Sequence, residues 1–280
     1  MSKLLGTYVN GNTIVAMYDD GTKERYIKDR EKAAPEFPES MDLKITNRCD
    51  LGCPMCAECS SPDGEHANLR HPIFNTINPY TELAIGGGNP LEHPDLIWFL
   101  LKMQRRKVIC NLTINVVHFM RDDTQYKLKL LIEQGAIHGV GISVPDQIPD
   151  GFLDAVKQYP NAVIHTIAGM TPPEVFDLLA DHDLDLLILG YKVKGRGDEY
   201  FEYNEVKIVN YVYDLEQRLP WLKDHFKAVA FDNLAVRQLH LRKQISDEDY
   251  NKLYMGNDGE FTMYIDMVQK KFGKSSTHDL

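Results

Sequence analysis

Strand-like and helical patterns alternate along the chain from residue 41 onward. Strand-like apolar runs recur at intervals of roughly 23 to 40 residues, and segments with helical periodicity lie between them. The predicted strands are 41–47, 82–86, 108–115, 138–144, 162–167 and 185–191. The predicted helices are 93–106, 122–134, 150–158, 173–181 and 199–218, with a further helix after the first cysteines at 64–71. Each strand is therefore expected to be joined to the next by a helical crossover.

This order predicts an α/β fold built on a parallel sheet. Right-handed crossovers between six parallel strands give a partial (β/α)6 TIM-like open barrel, about three quarters of a closed eightfold one. The ligand site of such a barrel lies at the carboxyl ends of its strands. We therefore expect the functional residues in the loops that follow the strands.

Two flanking segments have different patterns. Residues 1–34 contain three short strand-like runs, joined by Asn10-Gly11 and Asp19-Asp20-Gly21, which are turn sequences that favour tight hairpins. They predict a small N-terminal β-meander. The barrel core is expected over 35–218, and residues 219–280 are expected to form an α+β C-terminal extension that covers the barrel or the substrate site.

Composition narrows the classes of function. The 280 residues are 43% apolar and 26% charged, as is ordinary for a soluble globular protein. The net charge of −10 disfavours duplex nucleic acid as a partner, because phosphate binding requires a basic face. The sequence has no apolar run long enough for a membrane span and no N-terminal stretch typical of a signal peptide. We therefore expect a cytoplasmic protein in a reducing compartment, without a membrane partner.

Four of the five cysteines follow directly after the first predicted barrel strand. They are Cys49, Cys53, Cys56 and Cys59, separated in turn by three, two and two residues. Thiols this dense, in a chain without other cysteine pairs, indicate a soft-metal site rather than a disulfide framework. Iron and zinc are the leading candidates.

The spacing favours iron but leaves alternatives open. Structural zinc usually takes two short-gap pairs separated by a longer stretch, and the sequence has no second, distant pair. A bacterial ferredoxin run has gaps of two, two and three residues, unlike this one. With all four clustered cysteines as ligands, the chain would be an iron–sulfur electron-transfer module. With zinc bound, the chain would be a structural zinc-binding protein in which the metal only stabilises a loop. Cys59 is therefore the residue whose role the sequence leaves unassigned.

The spacing Cys49-x3-Cys53-x2-Cys56, together with the preceding strand, resembles the cluster motif of the radical S-adenosylmethionine (SAM) enzymes. The resemblance covers residues 41 to 191, and the chain lacks the further cysteines of an auxiliary-cluster extension. It implies that these three cysteines hold a [4Fe-4S] cluster whose open iron binds S-adenosylmethionine. It also implies reductive SAM cleavage to a 5′-deoxyadenosyl radical, which abstracts a hydrogen atom from a substrate.

The same resemblance implies contacts to SAM. The turn Gly87-Gly88-Asn89 follows the second predicted strand and resembles the Gly-Gly-Glu-Pro motif that binds the SAM amino group, with Asn89 in place of the usual Glu. An amide oxygen can accept a hydrogen bond from an ammonium, although the charge-assisted part is lost. The other expected cofactor contacts are Met55 near adenine, Asn115 and Ser143 at strand ends, and Tyr191 after the sixth strand.

The sequence indicates the partners and the substrate only by class, and it assigns no catalytic residue. The resemblance implies an external one-electron reductant, a flavodoxin- or ferredoxin-like protein. The acidic charge and the incomplete barrel favour a peptide or other extended substrate, while a nucleotide or small metabolite stays open. The basic segment 192–197 could meet an anionic group, but a solvated loop is the favoured interpretation. His165, in the fifth strand, is interpreted as a satisfied core histidine rather than a site residue.

Overall fold

The computed structural model describes residues 2–27 and 32–279. Residues 1, 28–31 and 280 lie outside the described residues, so the predicted segments 1–34 and 219–280 are covered only in part. The strands are β1 (Leu4–Asn10), β2 (Thr13–Tyr18), β3 (Lys23–Ile27), β4 (Ser40–Thr46), β5 (Glu82–Gly87), β6 (Ile109–Asn115), β7 (Gly139–Ser143), β8 (Ala162–Ile167), β9 (Asp185–Leu189), β10 (Ala228–Phe231), β11 (Thr262–Asp266), β12 (Lys271–Ser275) and β13 (His278–Asp279). The helices are α1 (Leu96–Arg105), α2 (Val116–Phe119), α3 (Asp122–Glu133), α4 (Phe152–Val156), α5 (Pro173–Leu179), α6 (Arg196–His225), α7 (Asn233–Gln238), α8 (Leu241–Gln244) and α9 (Asp247–Leu253).

The main sheet is a curved run of parallel strands. Its order is β10-β9-β8-β7-β6-β5-β4-β11-β12-β13. Every pair from β10 to β11 is parallel, and β12 and β13 continue the sheet with antiparallel pairs. The six predicted strands are β4 to β9. The α/β fold with a partial TIM-like open barrel is therefore confirmed, and β10 and β11 widen it at its two edges.

Alternation along the strands separates a packed face from a face that lines the inside of the barrel. On β4, Leu43 and Ile45 are buried in the main hydrophobic core, whereas Asp42 and Lys44 line the inside. Successive side chains of a strand point to opposite faces, so one strand serves both purposes. The inner positions of β5 and β7 carry small residues: Ala84, Gly86, Gly139 and Gly141. The inside of the barrel, which we call the lumen, therefore contains open space. In closed barrels, bulky branched side chains fill this region.

The helices cover the outer face of the sheet with aromatic contacts. Phe99 of α1 meets Phe74 edge to face, with ring centroids 4.8 Å apart, and Phe119 of α2 packs against Phe152 of α4 at 5.9 Å. All four rings are fully buried. Such pairs contribute about 0.5–1.5 kcal/mol each beyond the area they bury. This outer layer fixes the strands whose ends carry the candidate site.

The predicted helix at 64–71 is wrong. This segment runs back beside the end of β4: the Asn47 amide donates to the Glu65 carbonyl (2.9 Å), and the Ala67 amide donates to the Ile45 carbonyl (2.8 Å). A side chain at Gly64 would overlap the Asn47 carbonyl. Hydrogen bonding to the end of β4 outweighs local helical preference here, and it closes the base of the loop that carries the cysteines.

The N-terminal flanking segment forms a sheet of its own, whereas strands of the C-terminal segment join the main sheet. β1, β2 and β3 make a separate antiparallel sheet, with Gly11 at φ +59° in the first turn. β11 pairs in parallel with β4. The helix predicted at 199–218 is longer in the structure and spans all of α6, with Pro220 inside it. Among the described residues, no helix combines the length and apolarity needed to cross a membrane.

Candidate functional site

The four clustered cysteines lie on one loop, residues 47–61, which follows β4 and which we call the cysteine loop. Backbone hydrogen bonds fold it tightly: the Cys49 amide donates to the Ser61 carbonyl (2.9 Å), and the Cys56 amide donates to the Cys53 carbonyl (3.2 Å). The loop therefore begins at the carboxyl end of a barrel strand, where the predicted fold puts the ligand site.

Arg196, at the start of α6, holds the cysteine loop from the opposite side of the barrel. Its amide donates to the Cys56 carbonyl (3.1 Å), its Nε donates to the Cys53 carbonyl (2.9 Å), and its Nη1 donates to the Ser60 carbonyl (3.0 Å). The close approach requires glycine at 195, because a Cβ there would come within 2.9 Å of the Cys59 sulfur. The segment 192–197 is therefore not only a solvated loop, because Arg196 fixes the position of the cysteines.

A second set of contacts fixes the start of the loop. Asp50 accepts a hydrogen bond from Nε2 of buried His118 (2.6 Å) and another from Arg121 (2.8 Å). The hydrogen bond from His118 and then that from Arg121 lower the pKa of Asp50 to about 2. The Cys49 sulfur, an Asp50 oxygen and a His118 nitrogen lie within 4.8 Å of one another. Asp50 and His118 already bond to each other, so we interpret the group as a support for Cys49.

The thiols of the cysteine loop differ in their surroundings. Cys49, Cys53 and Cys56 are partly buried, while Cys59 is exposed and has a positive φ of 49°. Burial is the main reason that the pKa values of the Cys49 and Cys53 thiols are raised. Among the described residues, no three cysteine sulfurs lie within 4.8 Å of one another. A single tetrahedral zinc with Zn–S bonds of about 2.3 Å would hold its sulfurs only about 3.8 Å apart.

The glycine turn after β5 lies directly against the cysteine loop. The Gly88 amide donates to the Thr46 carbonyl (2.7 Å), and the Asn89 amide donates to the Arg48 carbonyl (2.7 Å). Gly87 has φ +113°, and a Cβ on it would overlap the Thr46 carbonyl. Glycine is required here because of both the backbone conformation and the close approach.

Asn89 is buried and uses its side chain within the protein. Its Oδ1 accepts from the Leu91 amide (3.2 Å), capping the short 3₁₀ turn Pro90–Glu92, and its Nδ2 donates to Glu92 (3.2 Å). Glu92 in turn contacts Arg48 (3.3 Å). The amide oxygen that the sequence assigns to the SAM amino group is therefore already engaged as a cap, and the assignment of Asn89 stays a prediction.

Met55 and Tyr191 meet in a small apolar cluster beside the loop. Tyr191 packs with Met170 and Ile208, and Met55 lies against the same group. The Tyr191 hydroxyl donates to the Gly197 carbonyl (2.8 Å), and burial raises its pKa to about 12. Met55, expected near adenine, and Tyr191, expected as a cofactor contact after the sixth strand, therefore belong to one cluster although they are 136 positions apart in the sequence.

Asn115 and Ser143 lie opposite each other at the ends of β6 and β7. The Asn115 side chain accepts a hydrogen bond from the Val117 amide (2.9 Å) and so caps α2. Ser143 is half-buried, and its hydroxyl makes no hydrogen bond to another described residue. Both lie at the expected edge of the sheet, but only Ser143 has a side chain without a structural partner.

A cavity of about 480 Å³ occupies the lumen. Lys44 is buried there between two carboxylates, at 2.5 Å from Glu58 and 2.9 Å from Asp266 of β11. The Tyr264 hydroxyl approaches Glu58 at 3.4 Å. Because Glu58 belongs to the cysteine loop, this network ties the loop to the neighbouring strands β4 and β11. These residues are not among the site residues predicted from the sequence, although the charged positions alternating within β4 are a visible signal.

His165 does not behave as a satisfied core histidine. It lines the cavity, its ring lies against Gly141, and its buried Nδ1 has no hydrogen-bond partner among the described residues. Burial lowers its pKa to about 4, so the ring is neutral at pH 7. The interpretation as a hydrogen-bonded core residue is therefore wrong.

Comparisons with known proteins agree with this architecture. No family model matches the chain, and no curated protein sequence matches it. SuiB from Streptococcus suis, bound to S-adenosylmethionine, aligns with a TM-score of 0.56 and 15% identity over 87% of this chain and 61% of SuiB. SuiB bound to its precursor peptide SuiA aligns with a TM-score of 0.54 and 16% identity over 86% of this chain and 60% of SuiB.

These alignments establish a shared fold. The chain spans about 60% of the length of the SuiB chains that it matches. The fold expected from the radical SAM resemblance is therefore the fold that the chain has, and it is shared with a protein that binds S-adenosylmethionine.

Proposed function

We propose that the chain is a radical SAM enzyme whose Cys49, Cys53 and Cys56 hold a [4Fe-4S] cluster. The observation that carries the proposal is the convergence at the carboxyl ends of the strands. There the cysteine loop, the glycine turn at 87–88 and the pair Met55 and Tyr191 lie side by side. They come from distant parts of the sequence, yet they occupy the edge where a barrel of this kind binds its ligand.

The donor set suits a multi-iron cluster better than one zinc ion. Three partly buried thiols on one loop suit a cluster held by three cysteines, whereas structural zinc usually takes four protein ligands. Cys59 is exposed and lies against Gly195, apart from the partly buried set. A three-cysteine set leaves one iron open for an exchangeable ligand, which favours SAM binding over a closed electron-transfer cluster.

When bound, the cluster and SAM would supply one-electron cleavage of the sulfonium and a 5′-deoxyadenosyl radical for hydrogen-atom abstraction. The chain's own residues would orient these groups. Arg196 and the Asp50 contacts hold the loop from two sides, and Gly87 and Gly88 let the glycine turn pack against the backbone at Thr46 and Arg48. Met55, which packs on the cluster of buried Tyr191, would offer an apolar surface for adenine. Burial around them limits the access of water to a reactive species.

The substrate is proposed to be a peptide or another extended molecule. SuiB has been solved with a precursor peptide, and the lumen of this chain is open enough to receive a side chain from outside. A flavodoxin- or ferredoxin-like protein is proposed as the source of the electron.

Anaerobic reconstitution with iron and sulfide tests the proposal. The reduced protein should give the electron paramagnetic resonance signal of a [4Fe-4S] cluster, and added SAM should change that signal. With dithionite, methionine and 5′-deoxyadenosine should appear. Cys53→Ala should abolish all three results, while Cys59→Ala, the matched control on the same loop, should retain them.

Three outcomes would contradict the proposal. The first is a protein that takes up zinc but not iron under these conditions. The second is a cluster whose signal ignores SAM, and the third is loss of the cluster in Cys59→Ala equal to that in Cys53→Ala. The last two would support the electron-transfer module with four cysteine ligands.

A further inference from the structure

The lumen contains a carboxylate without an ion-pair partner among the described residues. Asp42 of β4 lines the cavity, and no ammonium, guanidinium or imidazole nitrogen of the described residues lies within 4.0 Å of its oxygens. It also accepts no side-chain hydrogen bond from the rest of the described chain. The side chain of Asp42 is exposed to the cavity, while the barrel wall around the cavity displaces bulk water. This desolvation raises the pKa of Asp42. An enclosed carboxylate of this kind is stabilised when a cation joins it.

The neighbouring charges do not supply that cation. Lys44, two positions along the strand, is already shared by Glu58 and Asp266. Lys192 faces Asp42 and lowers its pKa, but it makes no ion pair with it. Asp232 and Asp258 act on Asp42 in the opposite direction. Lys192 is the strongest of these charges, but Asp232 and Asp258 oppose it and it does not reach Asp42, so a cation that enters the cavity can still form the ion pair that Asp42 lacks.

The cavity has room for such a group. Ala84 lies opposite Asp42 in the strand register, and Gly86, Gly139 and Gly141 continue the small lining. His165, which covers Gly141, is neutral at pH 7 because burial lowers its pKa to about 4. It therefore does not repel a cation that enters the cavity.

We propose that Asp42 binds a cationic group of the substrate, an ammonium or a guanidinium, inside the barrel. This inference rests on the proposed function, because it names the chemical class of molecule that the same site takes. The cationic group would lie in the lumen, beside the small lining residues of β5 and β7, and would thereby anchor the substrate close to the site of hydrogen-atom abstraction.

Charge-selective protection of Asp42 tests the inference on the full chain. The carboxyl groups are labelled with a water-soluble carbodiimide and glycinamide, and labelling of Asp42 is followed by peptide mass spectrometry. Three probes of similar size are compared: n-butylguanidinium, neutral butyramide and butanesulfonate. Butylguanidinium should slow labelling of Asp42 at least fivefold, while the other two should have no effect. Exposed Asp154 is the internal control, and its labelling should not change with any probe.

Variants give a second measurement. Binding of butylguanidinium, followed by saturation-transfer NMR, should weaken at least tenfold in Asp42→Asn and stay unchanged in Asp154→Asn. Asp42→Glu should keep the preference for the cation. If Asp42→Asn fails to fold, the protection experiment on the unaltered chain decides alone. Equal protection by all three probes, or equal binding to Asp42→Asn, overturns the inference.

The two proposals can fail separately. The probe experiments are repeated on Cys53→Ala, which is expected to lack the cluster. Cation selectivity without SAM cleavage in the reconstituted chain would contradict only the radical SAM proposal. SAM cleavage without cation selectivity would contradict only the role of Asp42.

Discussion

Replacing Lys44 by methionine removes the ammonium that two lumen carboxylates share. The Lys44 side chain is 4% exposed, and those of Glu58 and Asp266 are 18% and 7% exposed, so solvent screens this network little. Loss of one partner from a buried ion pair costs about 3–5 kcal/mol, because the remaining charge stays buried without compensation. Methionine keeps the length and apolar stem of lysine, so the loss comes from the charge rather than from a cavity.

The expected change is large enough for a thermal unfolding experiment. A shift of about 2–4 °C per kcal/mol applies to domains of this size range, so Lys44→Met should lower the midpoint by on the order of 10 °C. Circular dichroism of the metal-free protein at pH 7 measures it. Lys227→Met is the matched control, since its pair with Asp185 is 48% and 25% exposed and should contribute no more than about 1 kcal/mol.

A double variant distinguishes the ion network from general damage to the strand. In Lys44→Met, the buried carboxylates of Glu58 and Asp266 lose their shared ammonium. Asp266→Asn removes one of these two uncompensated charges, so the double variant should be more stable than Lys44→Met alone. The reasoning is refuted if Lys44→Met lowers the midpoint no more than Lys227→Met does, or if the second substitution only adds to the loss.

Three other changes have defined outcomes. Gly87→Ala should lower the free energy of unfolding in urea by more than about 1 kcal/mol. Gly21→Ala is the control, because Gly21 also has a positive φ but lies in open space, and it should cost less. Equal losses would mean that the close approach of Gly87 to the cysteine loop is unimportant. Arg196→Lys keeps the charge but loses the forked hydrogen bonds to the cysteine loop, so iron bound per chain after reconstitution should fall at least twofold, and an unchanged iron content would contradict its role. The pKa of Asp50 is lowered from 3.8 to about 2 in the folded state, so its contribution to stability is present above about pH 4 and is lost as the pH falls to about 2. Asp50→Asn should therefore lower the thermal midpoint at pH 6 but not at pH 2, unlike Asp154→Asn, which should change neither.

The periodicity of the sequence was sufficient to predict the strands that build the barrel. β4 to β9 match the predicted runs, because strands buried on the helix-facing side keep an apolar position at every second residue. The α+β extension expected over 219–280 contains β10 and β11, but no local pattern indicates that β11 pairs with β4. The helix predicted at 64–71 failed for a related reason: the hydrogen bonds that decide its conformation go to β4, which lies earlier in the chain.

The candidate site was predictable where its residues are adjacent and hidden where they are distant. The cysteine spacing and the glycine turn are local patterns. The contacts of Arg196 with the Cys53 carbonyl and of His118 with Asp50 join residues 143 and 68 positions apart, and no spacing rule reveals them. Asn89 is a different case. Its position in the glycine turn suggests a contact with a ligand, but in the structure its side chain accepts a hydrogen bond from the Leu91 amide and caps a 3₁₀ turn. Polar residues have several uses, and only the fold selects among them.

The pairing of β11 with β4 has a consequence for how the protein matures. β11 is synthesised long after β4 and the cysteines have left the ribosome, and until it arrives the first barrel strand keeps an unpaired edge. During that interval, Lys44 of β4 also lacks Asp266, one of its two carboxylate partners. Arrival of β11 therefore completes two things at once: the pairing of the first barrel strand and the ion network that includes Glu58 of the cysteine loop.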